Sequence, residues 1–122
     1  MRTTSGATMG WLRATVGVVL IAAPGVPMRM AGTEASSAAS LLLMRTIGIR
    51  DLVIGIGTVT AARSGVAADT RRWTTAALAS DALDTALSLV SARSIGRRDA
   101  LAAAGLALAF VCGDVVTRRS LA

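Results

Sequence analysis

Apolar positions fall into four stretches separated by polar turns. The first runs from about Trp11 to Val26, the second from Ser40 to Ala62 (SLLLMRTIGIRDLVIGIGTVTAA), the third from Trp73 to Val90 and the fourth from Ala100 to Val116. The second matches the roughly 20 residues that a helix needs to cross hydrocarbon. Between them, Pro24 to Ser37 (PGVPMRMAGTEASS) is rich in Pro, Gly and Ser and reads as a loop, while Arg63 to Arg72 and Ser91 to Asp99 read as polar turns. The pattern predicts an all-α fold, a membrane-embedded four-helix bundle forming a single domain over residues 1–122.

Two stretches are interrupted. Arg13 stands near the start of the first, and Pro24 and Pro27 near its end. Arg2 and Arg13 followed by Val16 to Ala23 have the form of a signal peptide, but the apolar remainder of the chain is unlike a secreted domain, so a retained helix is expected. In the second stretch the clean apolar part, Leu52 to Ala62, is too short to cross alone. A spanning helix must therefore carry Arg50 and Asp51 deep, with Arg45 near enough to the end to snorkel.

Composition strengthens the membrane expectation. Hydrophobic residues make up 53% of the chain, charged residues only 16%, and the mean hydropathy is +0.63, more apolar surface than a core of this size hides. A net charge of +6 would suit a nucleic-acid partner, yet the arginines stand as doublets (Arg71 and Arg72, Arg97 and Arg98, Arg118 and Arg119) at the edges of apolar stretches. No base-stacking aromatics are interleaved among them, so they read as membrane-edge anchors and no nucleic-acid partner is expected. An even number of spans places Arg2, Arg63, Arg71, Arg72, Arg118 and Arg119 on one side, against Arg29, Arg93, Arg97 and Arg98 on the other. The expected localisation is the plasma (inner) membrane, multi-pass, with cytoplasmic termini.

The chain has no His, no Lys and a single Cys. A histidine general base, a His-ligated zinc or haem, a lysine Schiff base, a Walker lysine and an intrachain disulfide all need residues it lacks. Neither a metal nor a cofactor is expected, and Cys112 reads as a buried small hydrophobe. Gly55 and Gly57 begin a G-x-G pattern, but Thr60 stands where a third glycine belongs and no strand precedes it.

A charge at mid-helix costs about 2.5 to 3.5 kcal/mol on insertion scales, so Arg50, Asp51, Asp81 and Asp84 are expected to find one another. An antiparallel hairpin of the second and third helices brings them to one depth, with Arg45 toward the same end as Asp84. Asp81 and Asp84, three apart, share a helical face that one arginine can bridge, and carboxylates so close can share a proton. Asp114 is expected to pair with Arg118, four residues on. For helix packing, Gly105, Ala109 and Gly113 form a small-residue stripe on the fourth helix, and Gly57 with Ala61 forms one on the second.

The run from Arg45 to Gly55 reads R-x-x-G-x-R-D-L-x-x-G. It resembles the signature of a bacterial family of four-span integral membrane proteins (the domain of unknown function 4267 type). In that family the second helix carries this signature and the third an aspartate, matched here by Asp81 or Asp84. The resemblance covers about residues 10 to 116, implies the four-span architecture, and picks out Arg45, Gly48, Arg50, Asp51 and Gly55. It implies no substrate, since no activity is established for the family. More loosely, four-span proteins of the DoxX-like kind share the layout.

Three functions are compatible with these residues. The first is a non-enzymatic membrane protein whose Arg and Asp cluster binds a lipid-like small molecule or a partner subunit, with a homo-oligomer as one form. The second is an intramembrane, isomerase-like enzyme using Asp81 or Asp84 as acid or base, with Arg50 stabilising negative charge. The third is a small proton-coupled transporter.

Overall fold

The computed structural model describes the backbone of residues 2–30, 32, 37–95 and 97–120, and side chains over 4–30, 32, 37–90, 105 and 107–119. The side chains of Arg2, Arg93, Arg97 and Arg98 lie outside the described residues. The described residues form five helices with short connections: α1 (Arg2–Ala22), α2 (Gly25–Met30), α3 (Ala38–Ser64), α4 (Ala67–Ile95) and α5 (Arg97–Ser120). The four long helices form an antiparallel bundle in which α1 packs on α3, α3 on α4, α4 on α5, and α5 closes against α1.

The helices overrun the turns that the sequence pattern sets between them. Arg63, Arg71, Arg72 and Asp69 are helical, leaving only Gly65 and Val66 between α3 and α4. Arginine, alanine and aspartate carry no backbone penalty severe enough to stop a helix; glycine with positive φ does, and Gly65 (φ 74) caps α3 in the left-handed conformation. Asp69 lies in the first turn of α4, where a carboxylate meets the free amides favourably. At the other end of α3, Ser37 Oγ accepts a bond from the Ser40 amide at 3.1 Å. The expected loop from Pro24 to Ser37 instead contains α2. Pro27 falls in its first turn, where a missing N–H removes no intrahelical bond.

The α1–α3 contact is made backbone on backbone. A Cβ on Gly55 would stand 2.5 Å from the Ala14 nitrogen and 2.6 Å from the Gly10 oxygen; one on Gly17 would stand 2.6 Å from the Leu52 nitrogen and 2.7 Å from the Gly48 oxygen. Gly10 thus meets Gly55 and Gly17 meets Gly48, each pair seven residues apart on its own helix. Elsewhere the expected packing stripes hold only in part. The Trp73 ring lies over Gly57, Ala61 is buried, and Gly113 packs against Met9. Gly105 and Ala109, by contrast, face outward, with nothing near Gly105. The buried face of α5 runs through Ala107, Phe110, Asp114 and Thr117, which turns the Gly105–Ala109 side away from the bundle.

Polarity is inverted relative to a water-soluble bundle. The largest fully buried side chains are Arg13, Thr74, Asp81 and Asp114, and the buried apolar side chains are mostly alanines. Leu12, Val18, Leu42, Leu43, Val53, Leu83, Leu87 and Val90 are exposed. Cys112 is also exposed, contrary to its expected burial, because it shares the outward face of α5 with Leu108 and Val116.

Gly55→Ala is expected to destabilise the bundle by about 3 kcal/mol, the upper end of overpacking costs. Gly105→Ala, at an open helical position, is expected to stabilise it by up to about 1 kcal/mol. Thermal unfolding followed by circular dichroism separates the two.

Candidate functional site

All four long helices send a charged side chain into one cluster near the mid-length of the bundle. Asp51 and Asp81 stand at the midpoints of α3 and α4, and Arg13 one residue past the midpoint of α1. The Arg13 guanidinium is the hub. Its Nη1 donates to Asp51 Oδ1 at 3.2 Å and to Asp81 Oδ1 at 3.1 Å, while its Nη2 donates to Asp81 Oδ2 and to Asp114 Oδ2 at 3.0 Å. Asp81 therefore holds Arg13 in a two-pronged fork, the geometry that a planar guanidinium matches best. The Phe110 ring lies 4.4 Å from the guanidinium carbon and covers one face of it.

A second guanidinium extends the cluster sideways. Arg50 donates to Asp51 Oδ1 through Nε at 3.3 Å and Nη2 at 3.0 Å, and its Nη1 reaches Asp84 Oδ2 at 2.6 Å. Asp51 Oδ1 joins the two centres. Their exposure differs sharply: Arg13, Asp51, Asp81 and Asp114 are 1–3% exposed, whereas the Arg50 and Asp84 side chains are 29% and 34% exposed. The cluster thus has a sealed centre and an open flank. Among the described residues no buried side-chain nitrogen or oxygen lacks a hydrogen-bond partner.

Of the residues singled out in the sequence, Arg50, Asp51, Asp81 and Asp84 come together, but not as two helices pairing alone. The cluster draws on α1 and α5 as well. Asp81 and Asp84 are not bridged by one arginine, because one turn of α4 carries Asp84 to the bundle edge, where Arg50 takes it, while Asp81 points inward to Arg13. Arg45 is exposed and outside the cluster. Asp114 faces Arg13 rather than Arg118, which is exposed, because it shares the inward face of α5 with Phe110.

Arg13 is the residue that reading the chain segment by segment misses, since near the start of an apolar stretch it has the form of a signal peptide's basic flank. A signal for it exists. Gly10-Trp-Leu-Arg13-Ala-Thr-Val-Gly17 and Gly48-Ile-Arg-Asp51-Leu-Val-Ile-Gly55 share the form G-x-x-(charge)-x-x-x-G. The opposite charges of Arg13 and Asp51 thus lie between the two glycine contacts that hold α1 to α3.

Below the cluster, Thr58, Thr70, Thr74 and Thr117 are buried. The Thr58 hydroxyl donates to the Ile54 carbonyl at 2.8 Å and the Thr74 hydroxyl to the Thr70 carbonyl at 3.0 Å, so these two are satisfied within their own helices. Two surface grooves, one between α1 and α5 beside Met9 and Cys112 and one beside Trp73, contain no residue of the cluster.

Removing one partner of a buried ion pair costs about 3–5 kcal/mol, so Arg13→Met is expected to lower stability by that amount, and Arg13→Lys to rescue little because an ammonium cannot reproduce the fork. Arg45→Ala is expected to stay within about 0.5 kcal/mol of the parent. Denaturant titration of the three variants checks this. Compared with protein-family models, curated proteins and solved structures, the chain matches none.

Proposed function

We propose that this chain is a small multi-pass membrane protein without catalytic chemistry. Its sealed Arg13 centre locks the bundle, and its open Arg50–Asp84 flank binds the polar part of a lipid-like small molecule or of a partner subunit. The observation that carries the reading is the division of one cluster into a closed half and a half-exposed half. Only the latter can be touched by anything arriving from outside the bundle.

The membrane part rests on inverted polarity. Among the described residues one helix segment, Thr4–Ala22, is long and apolar enough to cross a membrane by composition alone. Every 18-residue window of α3 includes three charged residues, and the middle of α4 includes Asp81 and Asp84, which lowers the apparent hydropathy of both. Of these, Arg50, Asp51, Asp81 and Asp84 face counter-charges, while Arg45 and Arg63 are exposed toward the two ends of α3; Leu42, Leu43, Val53, Leu83 and Leu87 lie on the outer surface. At about 1.5 Å per residue the four long helices measure about 31 to 43 Å, enough for a hydrocarbon layer of about 30 Å. In lipid, close glycine contacts and polar pairs hold helices together, and both are present between α1 and α3. That α1 supplies Arg13 supports its retention in the bundle over a cleaved leader.

The one-third-exposed Asp84 also supports a second reading, an isomerase-like enzyme with Asp84 as acid or base and Arg50 beside developing negative charge. The sealed pairing of Asp81 with Arg13 favours Asp84 over Asp81 for such a role.

The chain is expected to stay in the membrane pellet through an alkaline wash, with an intact mass that includes α1; release as a monodisperse species in plain buffer ends the membrane reading. Arg50→Gln, with Arg13 untouched, is expected to stay folded yet lose at least about tenfold in retention of a co-purifying amphiphile or partner, read by native mass spectrometry. Unchanged retention removes the flank from the site.

A further inference from the structure

Among the described side chains, the charges of the cluster do not balance. α1 contributes Arg13, α3 contributes Arg50 and Asp51, α4 contributes Asp81 and Asp84, and α5 contributes Asp114, so two guanidiniums face four carboxylates. Fully ionised, the group carries two surplus negative charges. Asp84, one-third exposed, can have its charge met from outside; Asp51, Asp81 and Asp114 cannot. An uncompensated charge inside a bundle is strongly disfavoured whether the exterior meets lipid or protein.

What could compensate it is limited by space. The position between the three inner carboxylates, where a metal ion would sit, is taken by the Arg13 head group itself. Neither surface groove opens onto it, and the described residues include no group of His, Cys, Asp or Glu side chains arranged to hold a metal. A proton needs no cavity.

We infer that the cluster is a proton-binding site that holds at least one proton at neutral pH, carried by Asp114. The assignment to Asp114 follows from how the guanidinium hydrogens are shared. Asp81 takes both prongs of Arg13, Asp51 is shared by Arg13 and Arg50, and Asp84 has Arg50. Among the described ion pairs Asp114 has one, through Oδ2, to the Nη2 that also serves Asp81. It has the weakest claim on positive charge and the least to lose by becoming neutral. The protonated carboxyl keeps Oδ2 as an acceptor for Arg13.

The test is infrared spectroscopy of the purified full-length chain at neutral pH, reading the carbonyl stretch of a protonated carboxylic acid, which lies clear of the amide and carboxylate bands. The band is expected in the parent, lost in Asp114→Asn and retained in Asp84→Asn. A parent without the band, or a band that survives in Asp114→Asn, overturns the inference. Because an amide mimics the neutral acid, Asp114→Asn is also expected to keep its Tm within about 3 °C of the parent, whereas Arg13→Met lowers it several times further. An Asp114→Asn chain that does not fold overturns the proposal too. So does a Tm that rises when sodium replaces a bulky organic cation, because the charge is then met by a metal ion.

Discussion

A guanidinium placed among three carboxylates and an aromatic ring, out of reach of water, is the constraint that organises this molecule. Arg13 cannot be there unless α3 and α4 bring Asp51 and Asp81 to its level, with α5 adding Asp114 as a further hydrogen-bond acceptor, and Asp51 and Asp81 cannot be there unless α1 brings Arg13. The pairing fixes rotation and axial position for four helices at once, something that a core of alanine and threonine side chains would do poorly. Small side chains set the distance between helices, and the ion cluster sets their register.

The two roles are interlocked between α1 and α3. Glycine pairs above and below Arg13 and Asp51 let the backbones approach until no side chain separates them, which shortens the span that the guanidinium must cover. On the opposite side, α4 and α5 are held by the far ends of the same fork and by Phe110 lying over it. The asymmetry between a sealed centre and an open flank follows from helical geometry: Asp81 and Asp84 are three residues apart, so one points to the axis and the other to the edge.

Much of the architecture was legible in the sequence. The four apolar stretches gave four long helices, and the cost of isolated charges in apolar segments marked Arg50, Asp51, Asp81 and Asp84 for association. What local reading could not supply was which helix completes the set. Arg13 near the edge of a stretch and Asp114 four residues before Arg118 each had a cheaper local explanation, and only the three-dimensional meeting of α1 with α5 displaces it. The helix ends were misjudged for a related reason: arginine-rich segments look like turns by polarity, yet a helix tolerates them until a glycine intervenes. Arg45, marked by the same signature as Asp51, proved to be exposed.

The order of synthesis gives the hub a further consequence. Arg13 leaves the ribosome 38 residues before Asp51, 68 before Asp81 and 101 before Asp114. Between residues 13 and 51 the first long helix therefore carries a cation with no partner from the other helices of the cluster. The counter-ions then follow in helix order, Asp51 first and the Asp81 fork second, so the charge of the hub is met before the last helix closes over it.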